Sequence, residues 1–176
     1  MKRFLLFVTA AAALAIPAAA VAAAPPTAGS LATQSCKAQQ AQLGAATFKS
    51  TYGANAYGKC VSKATKSSHT ALVNAAQACK AEQADTAFAT THDSKTFDAF
   101  YGGNAKANGK GADANAYGKC VAIKAKATVQ QLTQKTVAGA KACKAELTAK
   151  GKPAFTTAYG SKANAFGVCV SRKLAA

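Results

Sequence analysis

The chain has 176 residues, of which 22 are Lys or Arg and only 6 are Asp or Glu, so its formal net charge is +16 at pH 7. Much of its hydrophobic half is alanine and there is no Trp, so the apolar core must be thin for a chain of this length. Because nearly all of the positive charge is lysine, attraction to polyanions is expected, whereas bidentate, sequence-specific recognition of phosphate or nucleic acid is not.

Residues 1–24 predict a secretory signal peptide. Lys2 and Arg3 precede an apolar run over residues 4–16, and small residues with several A-x-A cleavage sites follow. A membrane anchor is disfavoured because the apolar run is shorter than the ~20 residues of a spanning helix. We therefore expect an exported protein, extracellular or at the exterior of the cell envelope. Cleavage would leave a net charge of +14.

The sequence after residue 24 uses one phrase three times. NAYGKCV stands at 55–61 and again at 115–121, and NAFGVCV stands at 164–170. Self-alignment gives units that share C-K-A-[QE], then F-x-x-x-Y-G, then N-A-[YF]-G-x-C-V, so each unit opens and closes with a cysteine. The predicted organisation is a mature N-terminal linker at 25–34 and three repeat units at 35–77, 78–141 and 142–176, the second enlarged by a glycine-rich insertion at 103–113.

Composition and periodicity both favour helix. Alanine, lysine, glutamine and glutamate are good helix formers, and apolar residues between the units recur at helical spacing. Each closing phrase is therefore predicted to begin a long helix that ends inside the next unit. The predicted fold class is all-α, with three tandem disulfide-closed helical units joined by long helices. The two predicted stripes are Val61, Ala64, Leu72, Ala75 and Cys79, and Val121, Ala125, Val129, Leu132, Ala140, Cys143 and Leu147.

Helix starts and stops recur with the repeat. The asparagine of each phrase is a predicted N-cap whose side chain accepts a backbone N–H of the first turn. The glycine of each Y-G pair is predicted to end the preceding short helix in a left-handed conformation. In the third unit, Gly151 and Pro153 are predicted to introduce that short helix. The asparagines are Asn55, Asn115 and Asn164, and the glycines are Gly53, Gly102 and Gly160.

Each phrase also carries a glycine early in the predicted helix: Gly58, Gly118 or Gly167. Glycine costs roughly 1 kcal/mol there relative to alanine, so something must require the missing side chain. We interpret it as close packing against an aromatic ring or the disulfide; the alternative is an exposed amide cluster that accepts an anion. The Phe and Tyr of F-x-x-x-Y-G lie on one helical face, which favours a core position over a ligand platform.

The six cysteines predict three structural disulfides. There is no C-x-x-C motif and the spacings are long, which in an exported chain disfavours redox or zinc chemistry. On continuous linker helices Cys60 and Cys79 would be about 28 Å apart, and Cys120 and Cys143 farther, whereas bridged Cα atoms lie within about 7 Å. Each copy of the repeat closes itself only if the pairs are Cys36–Cys60, Cys79–Cys120 and Cys143–Cys169.

The string F-x-x-x-Y-G followed by N-A-[YF]-G-x-C-V resembles a repeat of alanine-rich, cysteine-containing exported proteins of actinobacteria. The likeness covers most of the chain after residue 24. It implies export and the repeat boundaries, and it supplies no catalytic or binding residues. The insertion of the second unit departs from the compact pattern.

Candidate catalytic residues are few. No acid or histidine recurs at one position in all three units, and the densest group, Asp85, His92, Asp93 and Asp98, matches no metal-site spacing. We interpret this group as a polar helix end and loop. GKGAD lacks the rest of a phosphate loop, so we predict no catalytic residue, metal or cofactor. The remaining candidates are His69, Glu82, Asp113 and Glu146.

The charge gives the functional prediction: a secreted, non-enzymatic, cationic helical repeat protein that binds anionic polymers of the cell exterior without specificity. Suitable polymers are wall phosphates, acidic polysaccharide and extracellular nucleic acid. One alternative is that the charge serves solubility alone, and another is a hydrolase-type or metal-dependent enzyme centred on the acids and histidine of the second unit. A membrane-active cation is disfavoured because the thin apolar stripes are needed inside the fold. The candidate binding lysines are Lys119, Lys124, Lys126, Lys141 and Lys144.

Overall fold

The computed structural model describes residues 25–102, 115–160 and 164–175, and every regular element in these ranges is a helix. The all-α prediction is therefore confirmed. The predicted signal peptide, the second-unit insertion and Asp113 lie outside the described residues. The helices are α1 (Ala28–Tyr52), α2 (Ala56–Ala84), α3 (Phe88–Thr91), α4 (Phe97–Gly102), α5 (Ala116–Tyr159) and α6 (Ala165–Ala175).

The long helices between units form as predicted. Cys60 and Cys79 both lie on α2, and Cys120 and Cys143 both lie on α5. One stripe position is wrong, because Leu132 is 40 % exposed and its neighbour Thr133 is buried instead. Thr133 can face inward because its hydroxyl donates to the carbonyl of Val129, as helical threonines commonly do.

Two glycines with positive φ divide α1 and α5 into a cysteine-bearing helix and a short aromatic helix. Gly151 has φ 73° and ψ 161°, and Pro153 follows it at the start of the short helix, as predicted. Gly44 has nearly the same angles, φ 72° and ψ 160°, and interrupts the helix of the first unit in the same way. Only glycine adopts this backbone region without strain.

The helix starts are at the predicted asparagines, but the predicted cap is wrong. Asn55 and Asn115 are the N-cap residues of α2 and α5, yet both are in the left-handed conformation and neither side chain makes a cap hydrogen bond. Asparagine tolerates this conformation better than most residues. Two of the three predicted helix-ending glycines, Gly53 and Gly160, have the predicted positive φ but ψ values of −155° and −103°, outside the left-handed helical region. The third, Gly102, is itself the last residue of α4.

The glycine of each phrase makes room for the asparagine three residues earlier. A Cβ on Gly58 would lie 2.8 Å from Asn55 Nδ2, and a Cβ on Gly118 would overlap the side chain of Asn115. Close packing is therefore the correct interpretation of these glycines. The predicted partners, an aromatic ring or the disulfide, are wrong, because the left-handed asparagine folds its own side chain over the first turn.

The three predicted disulfides are present, with Cα–Cα distances of 5.9, 6.0 and 6.0 Å. Cys36–Cys60 joins α1 to α2, Cys79–Cys120 joins α2 to α5, and Cys143–Cys169 joins α5 to α6. Each disulfide is fully buried within a small cluster that contains a phenylalanine of its own unit. The predicted core role of the aromatic pairs is confirmed, since Phe48, Phe97 and Phe155 are buried beside Tyr52, Tyr101 and Tyr159.

Contacts between units bring the long helices together. α1 packs on α2, α5 and α6, and α2 packs on α5. A central cluster lies between α1, α2 and α5 and consists mostly of alanine. The small side chains let the helices approach closely, so the thin core expected from composition is spread between the units. The buried members of this cluster are Leu31, Ala71, Ala75, Ala125 and Val129.

Candidate functional site

The five predicted binding lysines all lie on α5, but not in one patch. Lys119 and Lys144 are separated by about 37 Å along the helix at 1.5 Å per residue. Two of the five have partners: Lys119 Nζ donates to the carbonyl of Gly102 at 2.6 Å, and Lys124 Nζ lies 2.8 Å from Glu82 Oε1. Lys126, Lys141 and Lys144 are exposed and have no such partner among the described residues; Lys119 is exposed as well, and Lys124 is half-buried.

The acids and histidine of the second unit serve the local backbone. Asp85 Oδ1 accepts the N–H of Ala87 at 2.8 Å, just after α2 ends. His92 stacks on Phe88 with ring centroids 3.7 Å apart, and its Nδ1 lies 2.9 Å from the carbonyl oxygen of Phe88. Asp93 is in a left-handed turn, and Asp98 lies in the first turn of α4, where a carboxylate suits the helix dipole.

Two histidines and the acids do not assemble into a metal centre in the part of the chain that the structure describes. There, no three side chains from His, Cys, Asp and Glu come close enough together to hold an ion. His69 is exposed on α2, as predicted. The same described ranges contain no helix that combines the length and the apolar character needed to cross a membrane.

A contact that the sequence analysis missed recurs in every unit. Tyr101 Oη donates to Glu82 Oε2 at 2.8 Å, and Tyr159 Oη donates to Glu146 Oε2 at 2.9 Å. In the first unit the acceptor is an amide, because Tyr52 Oη donates to Gln39 Oε1 at 2.5 Å. The signal for this contact was the [QE] position three residues after each opening cysteine, paired with the tyrosine of Y-G.

Lysines neutralise this acceptor where it is a carboxylate. Partial burial acts to raise the pKa of Glu82, but hydrogen bonds from Lys124 and Tyr101 outweigh it and hold the pKa below its usual value. The hydrogen bond to Glu82 in turn raises the pKa of Lys124. Glu146 is paired with Lys150 at 2.8 Å and with Lys173 at 3.7 Å.

A cavity of about 350 Å³ lies where all three units meet, and it is the strongest candidate for a binding site. Side chains from α1, α2, α5 and α6 line it. Three lysines are among them, Lys59 and Lys63 from α2 and Lys135 from α5, and no Asp or Glu of the described ranges is. None of these lysines belongs to the candidate set drawn from the sequence, because the sequence does not show that α2 and α5 meet there.

The wall of the cavity holds a hydrogen-bond chain of fixed direction. Thr133 uses its only proton on the carbonyl of Val129 at 2.8 Å, so Ser35 must donate to Thr133 across 2.6 Å. Gln39 Nε2 then donates to Ser35 Oγ at 3.1 Å, and Tyr52 donates to the other side of the amide. Burial raises the pKa of Tyr52, although its hydrogen bond to Gln39 acts in the opposite direction, so the phenol remains a donor at neutral pH.

Ser68, on α2, also lines the cavity and lacks a partner among the described residues. Only 1 % of the residue is exposed, and its Oγ makes no hydrogen bond there. A buried hydroxyl without a partner costs about 1–3 kcal/mol. The oxygen itself has less than 1 Å² of accessible surface, so a group bound in the cavity would gain this hydrogen bond once a small shift of the neighbouring side chains opens a path to it.

Comparisons of the chain with protein-family models, with curated proteins and with solved structures find no match. The assignment of function therefore depends on the charges, contacts and cavity of this structure.

Proposed function

We propose that the protein is an exported, non-enzymatic, cationic helical protein that binds anionic polymers of the cell exterior through its lysines. The three disulfides support an oxidising compartment, which for most disulfide-rich proteins is outside the cytoplasm. Export through the predicted signal peptide supplies that compartment and places the protein among wall phosphates, acidic polysaccharides and released nucleic acid.

The observation that carries this proposal is the excess of lysines over carboxylate partners. Among the residues that the structure describes, ion pairs involve only Lys124, Lys150 and Lys173, and their partners are Glu82 and Glu146. The other described lysines are all exposed, and most of them lie on the long helices. Since internal carboxylates neutralise so few of them, the surface keeps a strong positive potential that attracts polyanions.

The test is the salt dependence of binding to a DNA duplex and to a phosphate-rich wall polymer. Polymer binding that releases condensed counterions weakens log-linearly with salt. If at least six lysines engage, affinity should fall by ~10³-fold or more between 50 and 200 mM salt. Absence of binding to both polymers at 50 mM salt would leave solubility as the purpose of the charge. Salt-insensitive binding would also contradict the proposal.

Single lysine substitutions make this test sharper. Lys126→Ala, Lys141→Ala and Lys144→Ala remove exposed charges that make no ion pair within the described ranges. Each should weaken polymer binding by a similar small step and reduce the salt slope by about one, because no lysine makes a directional contact. A single dominant lysine would instead indicate a specific site.

The enzymatic alternative has less geometric support. Asp85 and His92 are engaged with the backbone of Ala87 and Phe88, and Asp93 and Asp98 lie at a turn and a helix start. A hydrolytic or metal-assisted reaction would need these groups to face a common substrate position. Turnover of a polymer by the intact protein, lost in His92→Ala, would favour the alternative.

A further inference from the structure

The cavity lies where the first unit departs from the other two. In the second unit, Glu82, three residues after the opening cysteine, pairs with Lys124, four residues after the closing cysteine. Glu146 and Lys173 occupy the same two positions in the third unit and lie 3.7 Å apart. The second and third units therefore share an ion pair beside the tyrosine of their Y-G.

The first unit has lost both members of this pair. Gln39 stands in the carboxylate position and Ala64 in the lysine position. Gln39, Ala64 and Tyr52 all line the cavity. Replacing lysine with alanine removes the side chain that would occupy the space, and replacing glutamate with glutamine removes the negative charge that would repel an anion. Neither change alone would give an anion site.

The charge around this space is positive and locally uncompensated. Lys59 and Lys63 are four residues apart on α2 and therefore share one helical face. Lys135 approaches from α5. Among the residues that the structure describes, none of the three lysines has an ion-pair partner and no Asp or Glu side chain lines the cavity. Three ammonium groups suit a compact dianion, which lysine binds as a point charge.

The remaining lining selects the shape of the ligand. Ser68 brings a buried hydroxyl without a partner in the described structure, which can donate to an anionic oxygen after a small side-chain shift exposes it to the cavity. Leu132 and Leu174 add apolar surface that can cover a carbon chain. About 350 Å³ is enough for a phosphate with a small organic group attached, and it lies in the usual range for small-molecule sites.

We propose that this cavity binds a phosphate-monoester group, carried either by a small organic molecule or by the end of an anionic polymer. This inference deepens the proposed function and depends on it for the source of the ligand. It adds one directional site to a surface that otherwise attracts polyanions without specificity.

The decisive variant is Gln39→Glu combined with Ala64→Lys. It transplants the ion pair of the other units into the first unit, places a lysine side chain in the cavity and leaves the net charge unchanged. The matched control is Gln40→Glu combined with Ala41→Lys, which makes the same two changes at exposed neighbouring positions. Titration with glycerol 3-phosphate at constant ionic strength, followed by NMR or calorimetry, should give saturable binding by the wild-type chain and the control. The cavity variant should bind at least tenfold more weakly.

Ser68→Ala decides the question if the double variant does not fold. It removes the hydroxyl without a partner and should weaken glycerol 3-phosphate binding at least threefold while the melting temperature stays the same or rises. Lys37→Ala, which removes a charge from the exposed side of α1, should have no such effect. Unchanged affinity in Ser68→Ala, or unchanged affinity in a folded double variant, would overturn the proposal.

The same experiment distinguishes the two sources of the phosphate. It also distinguishes the phosphate site in the cavity from the proposed binding of anionic polymers. A 5′-phosphorylated oligonucleotide that binds tighter than its dephosphorylated form, while glycerol 3-phosphate binds no better than sulfate, would assign the site to polymer ends. Saturable glycerol 3-phosphate binding with no polymer binding would uphold the cavity and contradict the proposed function. Polymer binding without a preference for any phosphate monoester would uphold the proposed function and contradict the phosphate site in the cavity.

Discussion

Asn115 and Gly118 occupy one small volume at the start of α5, and their pairing explains why the phrase N-A-[YF]-G recurs as a unit. A Cβ at position 118 would lie 2.7 Å from Asn115 Cγ. Asn115 is left-handed, with φ 78°, which turns its side chain over the first helical turn. The sequence indicated a packing role for the glycine. It does not show whether an asparagine is left-handed or caps the helix with its side chain, so the packing partner of the glycine could not be predicted.

We expect Gly118→Ala to stabilise the protein by less than the ~1 kcal/mol that helix propensity alone would give, because the methyl group meets the Asn115 side chain. The new methyl group displaces the Asn115 side chain from its place. In an Asn115→Gly background the clash is absent, so the same substitution should stabilise the protein by about 1 kcal/mol. Urea denaturation of the four proteins measures the coupling between the two positions. Equal effects in both backgrounds would show that the asparagine is not the obstacle.

Gly167 provides the contrasting control for this prediction. A Cβ there would lie 2.5 Å from Asn164 Oδ1 and also 3.0 Å from the backbone carbonyl oxygen of Thr51 in α1. A backbone oxygen in a helix cannot rotate away as a side chain can. Gly167→Ala should therefore remain destabilising in an Asn164→Gly background, because that substitution relieves only one of the two contacts.

At the scale of helices, the long elements and the disulfides were predictable because they depend on local rules. Helix-forming composition and apolar spacing defined α2 and α5, and their length excluded a bridge between Cys60 and Cys79. The inward turn of Thr133 was not predictable, since periodicity favours Leu132 and the Ser35 hydroxyl that hydrogen-bonds to Thr133 comes from α1, far away in the sequence. The helix break at Gly44 was not predicted from the sequence. It is recognised in the structure because the backbone angles of Gly44 match those of Gly151.

The ion pair between α2 and α5 should make stability depend on pH. The pKa of Glu82 is lowered in the folded protein, so the carboxylate contributes stability above its unfolded pKa of about 4.3. That contribution is lost as pH falls through the folded pKa. For a partly exposed pair it amounts to about 1 kcal/mol. Denaturation between pH 6 and pH 3 should show a loss of stability that is smaller in Glu82→Gln.

Asp93→Asn is the matched control for the pH experiment. It also removes one carboxyl of the second unit, at an exposed left-handed turn that asparagine accepts. It should keep the pH profile of the wild-type protein. If Glu82→Gln and the wild type lost stability in parallel, the contact of Glu82 with Lys124 and Tyr101 would not contribute to acid sensitivity.

At the scale of the whole molecule, the central cavity could not be predicted from the sequence. Its lysines come from two helices, and its hydrogen-bond chain runs from Tyr52 and Gln39 through Ser35 to Thr133, 98 residues away from Ser35. Such a site depends on how the units pack, which the repeat pattern does not specify. The repeat nevertheless contained one clue, because Gln39 and Ala64 depart together from the pattern of the other units.

The same packing predicts that the three units unfold together. α1 of the first unit contacts α5 and α6, and the alanine-rich cluster between α1, α2 and α5 belongs to no single unit. Replacing Cys143 and Cys169 by alanine removes a closure worth about 3 to 4 kcal/mol in the loop-entropy model. In a cooperative molecule that loss lowers the free energy of unfolding of every unit, because every unit shares its core with another.

Hydrogen exchange of the Cys143→Ala/Cys169→Ala protein tests this cooperativity directly. The slowest amides of α1 and α2, which the remaining Cys36–Cys60 bridge joins, should lose as much protection as those of α5. Thermal unfolding should be a single transition at a lower temperature than in the wild type. The control is Cys36→Ala/Cys60→Ala, which should destabilise α5 and α6 in the same way. Full protection of α1 and α2 beside an open α6 would instead mean that the units are independent modules, and a cavity formed between them would then be transient.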